Sequence, residues 1–519
     1  MAGVATGILF LGLCPAILLT YGAPALVLPA LFSVFFLLTF RTAVPAFLML
    51  ALIFQNVAIA LWVREDSSVA EVNTARALSF LITASIFAAV SLECLATGRT
   101  FPRADRRLIR LGALALALIG AHTALGVAVA GPGGALAYAR NMTLVPVSLI
   151  LGLAFGRVCG REPLRWFGVA FAAILVFGYA EMLFRESFYD LIGFDQYLLR
   201  ITERASDIQF RLFLGFAQWL QAQQTTLFND PNLAESGLTG VRLVGPTGHP
   251  ISFGYAVVVA SLPLLARAPI TILLLQVPLH YGINSKGAFL LLLICAAVRL
   301  APRSLTGQGP ALRMLGLGVL WGLVSLVAIL LGLRHGDFHV LGLIGGFKAF
   351  LANPLGHGVG TGGNLTEAGI NGQIDFIEAQ QAGLTRGIES AIGVMVDQLG
   401  IACLPYLLLV WAVFRRLASR RDGLSLVLAC ATLGLLANGL MQEEALFSPS
   451  SAGLLFLLVG LVFAQPSPWP ERGEAARADR AGRLRPGYRL PRPGADPPFP
   501  TGPDAPPPAR RCVRTGTPQ

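Results

Sequence analysis

The 519-residue chain is 55% hydrophobic and only 13% charged, whereas a soluble protein of this size carries roughly a quarter charged residues. Its mean hydropathy is +0.68, and its apolar runs are each near the ~20 residues that cross a bilayer. Backbone groups in lipid must be paired within their own segment, so these runs predict α-helices. The alternating pattern of a membrane β-barrel is absent. The composition therefore excludes an ordinary soluble protein and predicts an all-α, polytopic membrane helical bundle.

Charge and cysteine content argue against two further classes of protein. The net charge is +11, but the arginines cluster in short loops and in the C-terminal tail. That distribution is typical of membrane orientation rather than of a nucleic-acid partner. The seven cysteines are scattered singly and form no CxxC pair, so we expect neither a disulfide scaffold nor a zinc site.

Apolar segments along the chain predict about 12–14 transmembrane helices. They lie near 4–20, 23–40, 44–63, 76–96, 107–130, 141–157, 163–184, 250–266, 268–283, 286–300, 313–333, 389–414, 424–441 and 449–465. The first has no basic residue before its apolar core and is predicted to be an uncleaved span rather than a signal peptide. The pair at 268–300 is either two short spans or one re-entrant element.

The arginines give this layout an orientation. Arginine-rich loops follow the fourth, sixth, tenth and twelfth spans: Arg99, Arg103, Arg106, Arg107 and Arg110; Arg157, Arg161 and Arg165; Arg299, Arg303 and Arg313; and Arg415, Arg416, Arg420 and Arg421. All of these loops fall on one side of the membrane, which the positive-inside rule makes cytoplasmic. Both termini lie on the same side.

The same layout divides the chain into six regions. They are N-terminal helices in 1–184, a periplasmic loop with amphipathic helices in 185–249, central helices in 250–333, a second periplasmic loop in 334–388, C-terminal helices in 389–465 and a tail in 466–519. Within the first loop an apolar stripe is formed by Phe210, Leu212, Phe213, Phe216, Trp219 and Leu220, which predicts a helix lying on the outer membrane surface or packed on the bundle. The tail is rich in proline and arginine, so we predict that it is disordered and cytoplasmic.

Three polar sites face outward in this layout. The first contains Arg242, Gly245, Pro246, Gly248, His249 and Pro250, the second runs from Tyr281 to Gly287, and the third runs from Lys348 through 353–364 to Arg386, Glu389 and Ser390. Each offers a cation at the membrane interface, namely Arg242, Lys286 or Arg386. Glycines such as Gly358 and Gly360 allow backbone N–H groups to approach a ligand closely. Since guanidinium and ammonium groups bind phosphate oxygens, the three sites together predict the binding of a lipid pyrophosphate.

Several familiar catalytic patterns are missing from the sequence. No DxD-like pair is placed to hold a divalent metal, and there is no Walker loop or Rossmann fingerprint. We therefore expect no metal and no cofactor, and the energy for a reaction must reside in a lipid-linked substrate. Each residue also has a simpler interpretation, because a single interfacial cation is more often an anchor and Glu389 can complement a helix dipole. The presence of all three sites on one face favours the functional interpretation.

Four stretches in the second half of the chain carry a resemblance to a known family. They are RLVGPTGHPISFGYA (242–256), INSKGAFLLLL (283–293), GGFKAFLANPLGHGVGTGGN (345–364) and ESAIGVMVDQLGIACLPYLLL (389–409). In that order they resemble the Arg-Gly-Pro, Ser-Arg-Gly, Pro-Gly-x-Gly and final His-Asn…Gly blocks of the O-antigen ligase and polymerase superfamily, which assembles bacterial envelope glycans. The N-terminal half resembles the family only in hydropathy.

The resemblance implies a GT-C-like, metal-independent glycosyltransferase of the bacterial inner membrane with a periplasmic active site. It would take an oligosaccharide from undecaprenyl pyrophosphate and join it to a second lipid-linked glycan in O-antigen, lipopolysaccharide or exopolysaccharide biosynthesis. Arg242, Lys286 and Arg386 would bind the pyrophosphate, and Arg242 would also stabilise the charge that develops on it. The implied partners are the lipid-linked glycan, membrane lipid, a flippase and a chain-length regulator, with no nucleic acid.

Two departures from the family pattern affect the predicted reaction. Lys286 stands where the family often has Arg, and Glu389-Ser390 stand where ligases carry His-Asn. In ligases that His is the residue proposed to activate the acceptor hydroxyl. Its absence favours a polymerase, with Glu389 as the general base and His249 or His357 as the alternative base.

Two alternatives to a polymerase remain open. A ligase would transfer the glycan to lipid A-core or to a protein, by the same chemistry. A lipid-glycan flippase would carry ionisable residues deep within its spans and two similar halves, whereas in most of the predicted spans here ionisable residues are either absent or close to a span end.

Overall fold

The computed structural model of the protein describes residues 1–98, 101–201, 224–226, 239–301, 309–366 and 388–465. The apolar stripe predicted at 210–220, the predicted tail and Arg386 lie outside these residues.

The N-terminal part of the described chain is a succession of helices. They are α1 (Ala2–Tyr21), α2 (Val27–Thr39), α3 (Val44–Ala60), α4 (Val69–Ala75), α5 (Leu78–Thr97), α6 (Arg103–Ala130), α7 (Pro132–Cys159), α8 (Glu162–Leu191) and α9 (Phe194–Arg200). Ser68 begins α4 with a capping box. The Ser68 hydroxyl accepts a hydrogen bond from the N–H of Glu71, and the Glu71 carboxylate accepts one from the N–H of Ser68. Gly131, at φ 84°, separates α6 from α7, and Pro132 is tolerated at the start of α7 because the first N–H of a helix has no intrahelical partner.

The second half of the described chain continues in the same way. Its helices are α10 (Pro250–Leu265), α11 (Pro269–Ile283), α12 (Lys286–Leu300), α13 (Pro310–His335), α14 (Phe338–Ala352), α15 (Ala391–Leu399), α16 (Leu404–Ser419), α17 (Gly423–Asn438), α18 (Glu443–Phe447) and α19 (Leu454–Phe463). The predicted loop 334–388 thus begins with the apolar helix α14. The pair predicted at 268–300 forms two helices of 15 residues each, α11 and α12, separated by the left-handed Asn284 at φ 56°.

A small antiparallel ribbon accompanies the helices. Strand β1 (Gln224–Thr226) pairs with β2 (Thr239–Val241), so that Gln224 lies opposite Val241 and Thr226 opposite Thr239. The sequence analysis predicted only helices in this region. Threonine and valine are β-branched and favour extended backbone, which is a local signal that the helical pattern of the neighbouring residues concealed.

The helices confirm a membrane-embedded, helical protein. Within the described residues, eight helical stretches are long and apolar enough to cross a bilayer. They are Ala2–Tyr21, Arg41–Ala60, Val69–Thr97, Arg103–Ala130, Pro132–Cys159, Glu162–Leu191, Pro310–His335 and Ala391–Ser419. Shorter apolar helices of 10–17 residues cover Ala23–Thr39, Pro250–Leu265, Pro269–Ile283, Phe338–Ala352, Gly423–Asn438 and Pro449–Phe463. Of the fourteen spans predicted from sequence, eight thus fall on helices long enough to cross alone.

Helix α7 lies in the middle of the bundle, and α19 packs closely along it. Gly152 and Gly156 of α7 approach the backbone of α19, so that an added methyl group at either would overlap the main chain around Leu457 and Leu461. Small residues spaced by four allow membrane helices to pack at this distance. An apolar stretch of 18 residues in α7 is 83% buried, whereas the corresponding stretch of α13 is only 11% buried. The middle of α7 is therefore enclosed by other helices, whereas α13 lies at the periphery of the bundle.

Residues predicted to be cytoplasmic gather at one end of the bundle. The buried Asp105 of α6 pairs with Arg157 near the end of α7 and with Arg416 of α16. Nη1 of Arg416 lies 2.6 Å from Oδ1 of Asp105. Arg140, near the other end of α7, is about 25 Å away from Arg157 along the helix at 1.5 Å per residue. The residues predicted on the outer side accordingly lie at the far end of α7.

Candidate functional site

The segment from Arg242 to Pro250 is held in place by a carboxylate on α8. Glu181 is fully buried and accepts hydrogen bonds from the N–H groups of Val244 at 2.7 Å and Gly245 at 2.8 Å, as well as from the hydroxyl of Tyr189. Gly245 has φ 60°, and the ring of Phe253 occupies the space where a Cβ would be. The carboxylate and the glycine together fix this loop at the start of α10.

The second predicted site is joined directly to the first. The N–H of Leu243 donates to the carbonyl of Gly282 at 3.0 Å, and Nε of Arg242 donates to the carbonyl of Ile283 at 3.2 Å. On its other side, Nδ2 of Asn438 donates to the carbonyl of Gly287 at 3.0 Å. The end of α17 therefore contacts the second site.

The start of the fourth resembling stretch contacts the same end of α17. The N–H of Ile392 donates to the carbonyl of Gly439 at 3.0 Å, and Ser390 caps α15 by accepting from the N–H of Gly393 at 3.0 Å. Glu389 has φ 59°, which is unusual for a residue other than glycine, and its Oε2 lies 3.6 Å from Nδ1 of His339. The second and fourth stretches therefore contact the end of α17, and the first reaches the following connection through the hydroxyl of Tyr255, which donates to Oε1 of Gln442 at 2.8 Å.

A cavity of about 240 Å³ opens beside this connection. Its polar lining includes Arg76, Arg140, Asn141, His249, Glu443 and Glu444. These side chains come from α4, α7, α10 and α18, so the cavity is formed where the ends of helices distant in sequence converge. Among the predicted site residues that the structure describes, His249 lines it.

Glu443 is the most buried carboxyl group of the cavity, at 7% exposure. Burial raises its pKa well above the ordinary value, and the neighbouring carboxylates of Glu444 and Glu389 raise it further. Hydrogen bonds from the Tyr138 hydroxyl and from the N–H of Asn364 oppose this effect. The result is a carboxyl group that keeps its proton to higher pH than a solvated one, as burial dictates.

Glu444, the next residue, has a different environment. Its Oε1 lies 3.9 Å from Nε2 of His249, and the two side chains are 29% and 48% exposed. Burial lowers the pKa of Arg242, and the charge of Glu444 partly offsets this effect. His249 and Glu444 thus place an imidazole beside a carboxylate in the lining of the cavity, and the guanidinium of Arg242 is near enough to feel the charge of Glu444.

The other predicted phosphate-binding cations are less enclosed. Lys286 lies at the first position of α12 and is exposed. Arg386 lies outside the described residues.

Gly358 and Gly360 were predicted to let backbone N–H groups approach a pyrophosphate closely, and in the structure the N–H groups of both glycines are already used. The N–H of Gly358 already donates to the backbone carbonyl of Gln398 at 3.0 Å. The N–H of Gly360 donates to the side-chain Oε1 of Gln398, also at 3.0 Å. The two glycines have φ 97° and 86°, and a Cβ at either would overlap the backbone of Gly126 or Ala135. These glycines are thus explained by close packing of their loop against α6 and α7.

His357, predicted as an alternative base, is held by a buried acid. Its Nδ1 lies 2.9 Å from Oδ1 of Asp397 on α15, and its N–H donates to the carbonyl of the same residue at 3.1 Å. Asp397 is fully buried. His357 does not line the cavity described above, so among the predicted bases His249 is the one that does.

The sequence analysis missed Glu443, Glu444, Arg76 and Arg140. The two glutamates lie in the short connection between the last two predicted spans, and the two arginines lie at the beginnings of the fourth and sixth. All four fall at the outer ends of spans in the predicted layout. A search for every charged residue at those ends, rather than for blocks with glycine and proline, would have found them.

The comparisons with known proteins give no family assignment, because no protein-family model, curated protein or solved structure matches the chain. In the described part of the chain, no group of three or more His, Cys, Asp and Glu side chains is arranged to hold a metal ion.

Proposed function

We propose that the protein is a membrane glycosyltransferase that polymerises oligosaccharide repeat units carried on undecaprenyl pyrophosphate, at the periplasmic face of a bacterial inner membrane. The observation that carries this proposal is the cavity lined by His249, Glu443 and Glu444. The first of the stretches that resemble a polymerase and ligase superfamily lines this cavity with Thr247, Gly248, His249 and Ser252. A GT-C-like arrangement of the helices belongs to the same proposal.

The chemistry requires one base and one departing diphosphate. The acceptor hydroxyl oxygen forms a bond to the anomeric carbon of the donor sugar, and the bond from that carbon to the diphosphate oxygen breaks. The diphosphate leaves with the electron pair, and the hydroxyl proton passes to a base. We assign that base to the imidazole of His249, with Glu444 stabilising the imidazolium that forms. Bound metal is not required in this scheme.

Two predicted roles change in this scheme and one is kept. Glu389 pairs with His339 and does not line the cavity, so the carboxylate role is transferred from Glu389 to Glu444. His249 stays a base. Arg242, on which the charge of Glu444 acts, is assigned to balancing that carboxylate rather than to binding the pyrophosphate.

Two buried acids within helices support a transferase rather than a translocation path. Glu181 on α8 accepts from the N–H groups of Val244 and Gly245, and Asp397 on α15 binds His357. Both acids therefore hold loops at one end of the bundle. A flippase would instead need ionisable groups distributed along a path through the spans.

The test is the surface glycan of a strain that lacks the gene, complemented with the wild type, with Glu444→Gln or with Glu65→Gln. Glu65 is an exposed acid between α3 and α4 and serves as a matched control. We expect single repeat units in the deletion strain, long polymer with the wild type and the control, and no long polymer with Glu444→Gln at equal expression.

Two other results would change the proposal. Long glycan that accumulates on undecaprenyl pyrophosphate in the deletion strain would identify a ligase. Unchanged polymer on the final acceptor in the deletion strain would rule out both transferase activities.

A further inference from the structure

Two arginines that no sequence motif singled out line the cavity. Arg140 lies near the start of α7, and Arg76 follows the short helix α4. Asn141 and Asn56 line the cavity with them. These four residues belong to the N-terminal half of the chain, whereas Glu443 and Glu444 come from its C-terminal part.

Neither guanidinium is neutralised within the described residues. Nε of Arg140 lies 3.3 Å from Oδ1 of Asn141, and Nη1 of Arg76 lies 3.2 Å from Oδ1 of Asn73, which are contacts with neutral amides. Two cations that form no ion pair with a described residue thus line the same cavity as Glu443 and Glu444.

The opposite end of the bundle shows the usual arrangement for comparison. There Arg157 and Arg416 both pair with the buried Asp105. A partly buried cation without a counter-ion lowers the stability of a protein, because desolvation is not offset by an opposite charge. The arrangement of Arg76 and Arg140 is therefore the one expected where a ligand supplies the negative charge.

We propose that Arg76 and Arg140 bind the diphosphate group of the polyprenyl-diphosphate substrate. This inference rests on the proposed function for the identity of the ligand. A diphosphate has two adjacent oxyanions, which suit two guanidinium groups because each guanidinium offers parallel N–H donors. The cavity lies where apolar helices end, so a bound diphosphate would leave its polyprenyl chain in the bilayer.

The placement also orders the reaction in space. The diphosphate would lie against α4 and α7, and the acceptor hydroxyl would approach from the side of His249 and Glu444. As the bond to the anomeric carbon breaks, negative charge grows on the diphosphate, and the two guanidinium groups would stabilise it. Arg76 and Arg140 would then bind the donor in the ground state and more strongly in the transition state.

The experiment measures binding of glycan-free undecaprenyl pyrophosphate to the purified full-length protein in lipid nanodiscs. Undecaprenol is the parallel probe for the lipid chain alone, and a lipid-free acidic oligosaccharide is the probe for an anionic sugar. The variants are Arg140→Gln, Arg140→Lys and Arg76→Gln, with Arg64→Gln as the matched control. Arg64 is exposed and lies between α3 and α4.

We expect Arg140→Gln and Arg76→Gln each to weaken undecaprenyl pyrophosphate binding by at least ~10-fold, because each loses charge-assisted hydrogen bonds. Undecaprenol binding should not change. The affinity of Arg140→Lys for undecaprenyl pyrophosphate should lie between those of the wild type and Arg140→Gln. If Arg140→Gln does not fold, Arg76→Gln and Arg140→Lys still decide the matter, since Arg76 lies outside a long helix and Lys retains the charge.

Several outcomes would overturn the inference. They are equal affinity of the wild type and the folded variants for undecaprenyl pyrophosphate, equal losses for undecaprenol, and arginine-dependent binding of the oligosaccharide but not of the lipid diphosphate. The proposed function fails separately. If the deletion strain polymerises normally while diphosphate binding still depends on both arginines, the anion site stands and the transferase does not.

Discussion

The hydroxyl of Tyr138 lies 3.1 Å from both carboxyl oxygens of Glu443, although 305 positions separate the two residues in the chain. The same hydroxyl accepts a hydrogen bond from the N–H of Leu365 at 3.2 Å. One side chain of α7 thus joins the start of α18 to Leu365, near the end of the glycine-rich loop that follows α14 (353–366). This contact brings the N-terminal and C-terminal parts of the cavity together.

The buried Glu443 predicts how stability depends on pH. Because burial raises its pKa above 4.5, the folded protein keeps a proton that the unfolded chain releases. The stability from this group is fully present below the unfolded pKa and is lost as pH rises through the folded pKa. We expect Glu443→Gln, which resembles the protonated acid, to reduce the fall in the thermal unfolding midpoint as pH increases.

The measurement is the unfolding midpoint in detergent at a series of pH values from about 5 upward. Glu65→Gln, a substitution of an exposed acid, should leave the slope of the wild type unchanged. Parallel curves for the wild type and Glu443→Gln would show that Glu443 does not contribute to the pH dependence.

Glu181 predicts a large effect on stability at a distance from the cavity. Glu181→Ala removes the acceptor of two N–H groups and of the Tyr189 hydroxyl. Each unsatisfied buried donor costs about 1–3 kcal/mol, so we expect a loss of stability that lowers the unfolding midpoint strongly. Glu181→Gln retains one acceptor oxygen, so its unfolding midpoint should lie between those of the wild type and Glu181→Ala.

The control for this prediction is Glu186→Ala on the same helix, because Glu186 is exposed. It should change the free energy of unfolding by no more than about 0.5 kcal/mol, the range typical of surface substitutions. Similar midpoints for Glu181→Ala and Glu186→Ala would contradict the role of Glu181 as the anchor of the loop.

The contact between α6 and the glycine-rich loop predicts a difference between two glycines of one helix. At Gly126 an added Cβ would overlap the carbonyl of Val359, whereas at Gly120 it would meet nothing within 4 Å. Gly126→Ala should destabilise the protein by at least about 1–3 kcal/mol through overpacking. Gly120→Ala should be neutral or stabilising by up to about 1 kcal/mol, because alanine favours helix over glycine.

Thermal unfolding of the two variants in the same detergent provides this comparison. The result also bears on Gly358, which packs against Gly126. Equal stability of Gly126→Ala and Gly120→Ala would mean that the loop does not pack on α6 in the way described.

The two histidines predicted as alternative bases should differ in their effect on activity. His249 lines the cavity beside Glu444, whereas His357 is bound by Asp397 outside it. We expect His249→Gln to reduce polymerisation by about 10²–10⁴-fold, as is typical for loss of a general base, with an unchanged unfolding midpoint. His357→Gln should lower the midpoint and leave the rate per folded molecule nearly unchanged.

Polymer formation from purified lipid-linked repeat units, normalised to folded protein, distinguishes the two histidines. Glu389→Gln belongs in the same series, because Glu389 was the base predicted from sequence. Full activity of His249→Gln combined with an inactive Glu389→Gln would restore the original assignment.

The sequence by itself determined the membrane character of the protein and the positions of its apolar helices. Hydrophobicity and helical propensity are properties of neighbouring residues, so a run such as α1 or α13 can be recognised without its contacts. The departures arose where a local pattern had two meanings. Gly358 and Gly360 fit both a phosphate loop and close helix packing, and only the contact with α6 and α7 distinguished them.

The tertiary structure alone decided which polar groups share a cavity. Arg76, Arg140, His249 and Glu443 lie in or directly beside four separate helices, and no short pattern relates them. The bond between Tyr138 and Glu443 spans most of the chain, and the pKa of Glu443 depends on burial by all of its neighbours. Burial and charge pairing are sums over contacts in space, whereas a sequence pattern records only neighbours along the chain.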